Sequence, residues 1–204
     1  MKVIFASALL CWTLVVNAEN ETETATGPEI NSENMPAGDS AAETGKFNIV
    51  LAAGMTIGGD DLQPTTADRP IEAGGLIYLA AGGVYHATQN FDLQVTFGLH
   101  FDALDDRDGV IEFTRTFLEL IPFYVAENGN RFGLGMTHVM SPEYSDPYMT
   151  ISFEDTNGMV AEFDWMLAPH YFLGIRYADL DYTVAGSSGS IDGRYAGVIM
   201  QGHF

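Results

Sequence analysis

The sequence predicts an all-β protein, an eight-stranded antiparallel up-and-down transmembrane β-barrel. Three observations support this fold class: apolar and polar residues alternate along most segments after residue 46, no helical period is convincing, and short turns alternate with long polar loops. Strict alternation is typical of a strand with two unlike faces. Short turns at one end and long loops at the other are typical of an up-and-down barrel.

The first 18 residues predict a secretory signal peptide. Lys2 precedes a short apolar run, and Val16-Asn17-Ala18 fits a signal-peptidase site. The run is too short for a transmembrane anchor and lacks a stop-transfer flank. Cys11 follows two leucines, where a lipoprotein signal would have a small residue, so we do not expect lipidation. Removal of the signal would leave no cysteine, which excludes disulfides, thiol catalysis and cysteine metal sites.

Residues 19–45 form a different region, rich in Glu, Thr, Ser, Asn, Gly and Pro. This composition predicts a disordered acidic segment, either a solvated tether, which we favour, or a partner contact. All 28 Asp and Glu follow residue 18, and only one of the eight Lys and Arg precedes it. This acidity argues against a nucleic-acid partner. We expect the barrel to occupy residues 46–204.

The first four strands are predicted at Phe47–Ile57, Gly74–Ala87, Asn90–Asp102 and Gly109–Val125. The first has large apolar residues on one face and Asn, Gly and Thr on the other. The second is apolar on both faces, so its orientation stays open. The third alternates strictly, with apolar residues at odd positions and polar residues or Gly at even ones. The fourth alternates less cleanly, but Arg115 and Glu119 share a face.

The last four strands are predicted at Arg131–Met140, Met159–Leu167, His170–Tyr182 and Arg194–Phe204. The fifth sets large apolar residues against glycines and a threonine. The sixth places Glu162 and Asp164 opposite an apolar face, and the seventh does the same with Arg176. The eighth carries alternate apolar residues up to Phe204.

The connections between these strands are of two kinds. Short turns fall at 87–89, 127–130 and 168–169, and longer polar loops fall at 59–72, 103–108, 141–150 and 185–192. A strand of ~9–11 residues suffices to cross a membrane in a tilted barrel. The alternation of connections therefore gives the barrel one short-turn end and one long-loop end.

Aromatic residues fall near both ends of the predicted strands. Near the short-turn end they are Phe47, Tyr85, Phe91, Tyr124, Phe132, Trp165, Tyr171 and Phe204; near the long-loop end they are Phe101, Phe113, Tyr182 and Tyr195. Aromatic rings favour membrane interfaces, because one part is apolar and another tolerates water. The distribution predicts two interfacial girdles, although Phe and Tyr are common in strands generally.

The C-terminal segments carry a resemblance to a known family. The terminal VIMQGHF resembles the last strand of bacterial outer-membrane proteins, and FLGIRY at 172–177 looks like the penultimate strand of small eight-stranded barrels of the OmpA/OmpX type. The resemblance covers residues 46–204 and implies a Gram-negative outer membrane. It also implies that the barrel-assembly machinery binds the last strand, with Val198, Met200 and Phe204 as its signal. Gly202 departs from the pattern, since many relatives have a larger apolar residue there.

The inward faces of the predicted barrel carry polar and charged residues. They are Asp92, Gln94, His100, Arg115, Glu119, Glu162, Asp164 and Arg176. Side chains just fill an eight-stranded barrel, so charges inside it have to pair. Two arginines against four acids leave an acidic surplus. Two interpretations stay open: a packed salt-bridge network that holds the barrel shut, which we favour, and a narrow cation or proton path.

We predict no catalytic, cofactor or metal site. His138, Ser141 and Glu143 invite comparison with lipid A-modifying barrel enzymes, but those carry His and Ser two positions apart. A separation of three puts them on opposite faces of a strand. The acidic stretch Asp105–Gly109 fails the EF-hand pattern. Loose divalent-ion binding there is the alternative to solvated acidic loops, which we favour.

The predicted function is a structural or surface-interaction role in the outer membrane, without catalysis. A narrow channel is the first alternative. A secreted soluble ligand-binding barrel is another, but it would need apolar residues inside and polar ones outside. The expected partners are outer-membrane lipids, lipopolysaccharide and the assembly machinery, with a monomer as the expected state. Arg194, in the outward phase of its strand, could pair with a lipid phosphate.

Overall fold

We describe the protein from a computed structural model, which describes residues 45–63, 70–106 and 109–204. The predicted signal peptide and, apart from Gly45, the acidic segment 19–45 lie outside the described residues. The described part of the chain contains no helix long and apolar enough to cross a membrane.

Within these residues the chain forms thirteen β-strands. They are β1 (Phe47–Ile57), β2 (Asp61–Gln63), β3 (Ile71–Glu72), β4 (Ile77–Thr88), β5 (Phe91–Asp106), β6 (Gly109–Val125), β7 (Arg131–Ser145), β8 (Thr150–Ser152), β9 (Thr156–Ala168), β10 (Tyr171–Asp179), β11 (Asp181–Thr183), β12 (Ser190–Asp192) and β13 (Tyr195–His203). Eight of them, β1, β4, β5, β6, β7, β9, β10 and β13, form the barrel, and the five short strands lie in its long loops.

The barrel strands pair antiparallel in chain order, and the first and last strands close the ring. The β1–β13 ladder runs from Val50↔His203 to Ile57↔Ala196. A closed ring has no free sheet edge, so the strands satisfy one another's backbone groups, as a membrane interior requires. The prediction of an eight-stranded antiparallel up-and-down barrel is confirmed.

The apolar residues of the barrel strands point outwards. Phe47 and Ile57 are each 67% exposed, and Phe97 on β5 is 55% exposed. The orientation of β4, which the sequence left open, places Tyr78 inside and Leu79 outside. This distribution is the opposite of what a soluble ligand-binding barrel would need.

Three strands continue well past the length that a membrane crossing needs. β5, β6 and β7 have 16, 17 and 15 residues, against ~9–11 for a tilted transmembrane strand. The predicted loops at 103–108 and 141–150 are therefore largely wrong, because strand pairing continues through Asp105↔Val110. The burial of Ile111 and Phe113 against the long-loop hairpins stabilises this extension.

Aromatic packing joins the long-loop hairpins to the barrel. Phe113 makes edge-to-face contacts with Phe153 and Tyr182, with ring centroids 5.9 and 5.7 Å apart. Phe113 and Tyr182 are fully buried and Tyr195 is 4% exposed. The prediction that these three residues form a second outward girdle is thus wrong, whereas Phe101 stays half-buried. The rings are buried because they pack in one cluster with residues of the β7–β8 and β11–β12 hairpins.

Candidate functional site in the barrel interior

The lumen collects all the polar residues that the alternation places inside. Asp92, Gln94, His100, Arg115, Glu119, Glu162, Asp164 and Arg176 are each 4% exposed or less. Strand period alone brings them together, since every second residue of a barrel strand points inwards. Among the described residues the lumen also buries Arg131 and Asp102, which brings the total to three arginines and five carboxylates.

Arg131 organises the short-turn half of the lumen. Its Nη2 lies 2.6 Å from Asp164 Oδ2 and its Nη1 lies 3.9 Å from Asp92 Oδ2. The guanidinium is held between the rings of Phe123 and Phe172, at 4.3 and 4.2 Å from their centroids. Both faces of the cation are therefore covered by aromatic rings while its edge meets carboxylates.

Arg131 is an interior residue that the sequence pattern did not predict. The available signal was its phase, since it precedes the inward Gly133 and Gly135 at two-residue spacing. The position directly after a turn made its orientation difficult to assign. In the structure, β7 starts at Arg131, whose Cα pairs with that of Asp164.

Two glutamines link the Arg131 layer to the layer above it. Gln94 Nε2 donates to Gln201 Oε1 at 3.2 Å, and Gln201 Nε2 in turn donates to Glu162 Oε1. Gln201 is inward on β13 and 3% exposed. Because amides both donate and accept, they connect carboxylates with guanidinium groups without adding charge.

Arg176 organises the middle layer. Its Nη2 lies 2.8 Å from Glu119 Oε1, and its Nε lies 3.5 Å from Glu162 Oε2. The hydroxyl of Tyr78 donates to Glu119 Oε2 at 2.9 Å, and Thr96 Oγ1 donates to the same oxygen at 3.4 Å. One carboxylate thus accepts bonds from three strands and fixes their register across the lumen.

Arg115 occupies the long-loop half of the lumen, and its partners differ in kind. Its Nη1 donates to the carbonyl oxygen of Ala73 at 2.6 Å and to the hydroxyl of Tyr182. Its Nη2 donates to the carbonyl oxygen of Gly74 at 3.1 Å and to His100 Nδ1. Arg115 therefore connects the barrel wall to backbone of the first long loop.

Structures similar to this one come from small bacterial outer-membrane proteins. Ail of Yersinia pestis aligns with a TM-score of 0.52 and 10% identity over 79% of this chain and 99% of Ail. OprG of Pseudomonas aeruginosa aligns with a TM-score of 0.45 and 14% identity over 79% and 96% of the two chains. No protein-family model matches the sequence, and comparison with curated proteins gives no match.

This chain has the fold of the small outer-membrane β-barrels. At 10% identity the similarity concerns the fold alone. One Ail structure was determined in complex with the heparin analogue sucrose octasulfate.

Within this outer-membrane barrel fold, the short-turn rim carries exposed aromatic rings. Phe47, Tyr85, Phe91, Tyr124, Phe132, Trp165 and Tyr171 are between 39% and 67% exposed. They lie on the outer face, at strand ends next to the short turns. Just inside the rim, His86 Nδ1 lies 2.7 Å from Asp92 Oδ1.

The last strand gives a reason for the glycine at position 202. Val198 and Phe204 are 50% and 58% exposed on the outer face, and Met200 is half-buried there. A Cβ at Gly202 would lie 2.8 Å from the Phe204 ring, which meets Tyr171 edge to face at 6.2 Å. The glycine therefore makes room for the terminal ring to lie flat against the barrel wall.

The proposed comparison with lipid A-modifying barrel enzymes rests on geometry that the structure revises. Ser141 has a φ of 49° at a register shift in the pairing of β7 with β6. This bulge puts His138, Ser141 and Glu143 on the outer face together, so the expectation of opposite faces is wrong. However, His138 Nδ1 lies 3.0 Å from Asn157 Oδ1, and the Ser141 N–H donates to Asp155 Oδ1. These bonds connect His138 and Ser141 to separate residues rather than to each other.

The loop residues that the sequence suggested as ligands for lipid phosphate or divalent ions are Arg194 and the acidic stretch Asp105–Gly109. Arg194 contacts another residue of the same chain. Arg194 forms a forked ion pair with Asp192, both its Nε and its Nη2 facing that carboxylate. This pair raises the pKa of Arg194 and lowers the pKa of Asp192. Across the described residues, no group of three or more His, Cys, Asp or Glu is arranged to hold a metal ion. Part of the acidic stretch Asp105–Gly109 lies outside the described residues.

Proposed function

We propose that this chain is an integral protein of the Gram-negative outer membrane, exported by its N-terminal signal, with a closed lumen and a structural or surface-interaction role. The observation that carries the proposal is its inverted distribution of residues. Large apolar side chains are exposed around the outside, and fifteen polar or charged residues of the described chain are buried. Hydrocarbon is the medium in which such an exterior is stable.

The paired charges support a closed rather than a conducting lumen. Arg131 and Arg176 each contact two carboxylates, and Arg115 contacts backbone carbonyl groups. Inward glycines add no space, since a Cβ at Gly98 or Gly133 would collide with neighbouring aromatic rings. An ion crossing the lumen would have to separate these pairs in a narrow space.

The localisation is tested by membrane fractionation combined with heat-modifiability on SDS gels. We expect a band in the outer-membrane fraction whose mobility changes when the sample is boiled, because a closed barrel resists SDS until it is heated. A soluble protein with no such shift would contradict the proposal.

The closed lumen is tested by conductance in planar bilayers. We expect no steady conductance from the natural chain, nor from the double variant Glu119→Ala and Arg176→Ala, because the Arg131 layer still crosses the lumen in that variant. A narrow cation channel is the second candidate function, favoured by the surplus of five buried carboxylates over three arginines among the described residues. Cation-selective conductance of the natural chain would establish it and overturn the closed barrel.

The proposed binding partners follow from the proposed location in the outer membrane. Outer-membrane lipids and lipopolysaccharide would surround the apolar wall, the assembly machinery would bind the last strand at Phe204, and the protein would act as a monomer. Exposed carboxylates dominate the long-loop end: Asp60, Asp61, Asp105, Glu112, Glu143, Glu154, Asp155, Asp179 and Asp181. A cationic surface partner suits this end better than a polyanion such as the heparin analogue bound by Ail.

A further inference from the structure

Part of the first long loop enters the barrel. The sequence predicts a long polar loop at 59–72 and a strand from Gly74, yet Ile71 in the predicted loop and Ala73 just after it are fully buried. Gly74 and Gly75, which follow them, are buried too. Backbone bonds from Ala73 N to Asp60 O at 2.9 Å and from Gly74 N to Gly58 O at 2.8 Å hold the segment against the end of β1.

The barrel wall binds this segment through its carbonyl oxygens. Arg115 donates to the oxygens of Ala73 and Gly74, at 2.6 and 3.1 Å. Thr56 Oγ1 donates to the oxygen of Gly75 at 2.8 Å. Three successive carbonyl groups therefore point at donors that belong to β1 and β6.

His100 connects these two donors. Because a guanidinium group only donates, His100 Nδ1 accepts from Arg115, and the imidazole proton lies on Nε2. Nε2 then donates to Thr56 Oγ1 at 2.6 Å, which directs the threonine proton towards Gly75. The ring also fits closely under the segment, since a Cβ at Gly75, whose φ is +67°, would lie 2.9 Å from it. The three wall residues thus act as one unit.

We propose that Ile71–Gly75 is a lid over the long-loop mouth of the lumen, and that Thr56, His100 and Arg115 form the latch that holds it closed. The contacts of the lid with the latch are polar bonds to backbone, which can be exchanged for water when the mouth opens. The Arg176–Glu119 layer lies deeper in the lumen and makes no use of the lid. Opening would therefore admit water to the upper lumen without creating a pore, so the inference goes beyond the proposed function and holds independently of it.

The test measures access to a single cysteine placed beneath the lid. Ala80 is inward on β4, 9% exposed, and its register partner Gly98 lies two residues from His100 on β5. In a Cys11→Ser background, Ala80→Cys gives a chain with one thiol. Its rate of reaction with a small charged methanethiosulfonate is followed by mass spectrometry on the full chain folded in detergent micelles.

Two variants release the latch and one serves as a matched control. Thr56→Val removes the hydroxyl that binds Gly75, and we expect the labelling rate to rise about five-fold, as the loss of a neutral hydrogen bond implies. Arg115→Met removes the two charge-assisted bonds to the lid, besides those to Tyr182 and His100, and we expect a rise of about ten-fold or more. Thr96→Val removes an equally buried hydroxyl that binds Glu119 instead of the lid, and we expect no change.

The outcomes separate the lid from general loosening of the barrel. Each variant is first shown to be folded by its heat-dependent gel mobility, and if Arg115→Met does not fold, the Thr56→Val and Thr96→Val pair decides. Faster labelling of Thr56→Val alone within that pair supports the lid. Equal rates for the Cys11→Ser, Ala80→Cys parent and for its Thr56→Val and Thr96→Val variants, or equal acceleration by both threonine variants, would overturn it.

Discussion

Arg131 and Asp164 form an ion pair, 2.6 Å between Nη2 and Oδ2, that is sealed inside the barrel with side-chain exposures of 1% and 0%. The two residues face each other across β7 and β9, and the rings of Phe123 and Phe172 cover the guanidinium. Asp164 depends on Arg131 for compensation, and Arg131 depends mainly on Asp164, because neither reaches bulk water and Asp92 lies farther away, at 3.9 Å from the guanidinium.

Removing one partner of this pair leaves an uncompensated buried charge. We expect Arg131→Met or Asp164→Asn to lower the free energy of unfolding by about 3–5 kcal/mol. The double variant Arg131→Met with Asp164→Leu is expected to recover much of that loss. Urea unfolding in phospholipid vesicles, followed by tryptophan fluorescence, measures these differences.

The exposed pair Arg194–Asp192 provides the control, since Arg194 is 54% exposed. We expect Arg194→Met to unfold at the same urea concentration as the natural chain, because water screens and replaces an exposed ion pair. A double variant at 131 and 164 that is less stable than both single variants would contradict the account of an uncompensated charge.

Comparing alanine variants of Phe204 and Phe47 separates a role of the C-terminal residue in assembly from its contribution to packing. Each ring lies over a glycine on the outer face, Phe204 over Gly202 and Phe47 over Gly83. We expect Phe204→Ala and Phe47→Ala to destabilise the refolded barrel to a similar degree, since both lose the same kind of contact. In cells, only Phe204→Ala is expected to reduce the amount of folded barrel in the outer membrane, as measured by heat-modifiability. Equal reductions in cells would mean that both rings act through packing alone.

The stability of the turn at the tip of the β7–β8 hairpin should depend on pH through the carboxyl group of Asp146. Its Oδ1 accepts the backbone N–H groups of Tyr148 and Met149, both at 2.8 Å, and these bonds lower the pKa of Asp146 below its ordinary value. Because the folded-state pKa is depressed, the stabilisation of the turn is present above the ordinary pKa of 3.8 and is lost as the pH falls through the lowered one.

NMR titration of the two amide protons checks this expectation. Their chemical shifts should change together, with a midpoint below 3.8, and Asp146→Asn should abolish the change. A midpoint at or above 3.8, or a titration that survives in Asp146→Asn, would contradict the assigned hydrogen bonds.

The exposed carboxylates at the long-loop end predict that this end binds polycations and not polyanions. Arg194 is the one exposed arginine of the described residues at that end, and Asp192 already neutralises it. We expect the refolded barrel to pass through immobilised heparin at low salt and to be retained by an immobilised polycation, with retention falling as salt screens the charges. Retention on heparin would contradict the expected charge preference.

The eight barrel strands and the facing of most of them were determined by the sequence itself. Period-2 alternation assigns each residue to one face, so Asp92, Glu119 and Arg176 had to share the inside if the strands closed into a barrel. The outward position of Phe97 follows from the same rule, because a strand cannot rotate one residue independently of its neighbours. Both features depend only on the alternation within one strand, so each can be predicted from the residues of that strand.

Other features were decided only by the tertiary structure. Ala103 to Asp106 continue β5 because β6 pairs with them, and Tyr195 on the last strand points inwards onto the ring of His100 on β5. The bulge at Ser141 changes the facing of the residues beyond it. Asp164, the ion-pair partner of Arg131, is 33 residues away along the chain, and Tyr182, which binds Arg115, is 67 residues away. Long-range pairing and packing decide such contacts, and no periodic pattern within one segment encodes them.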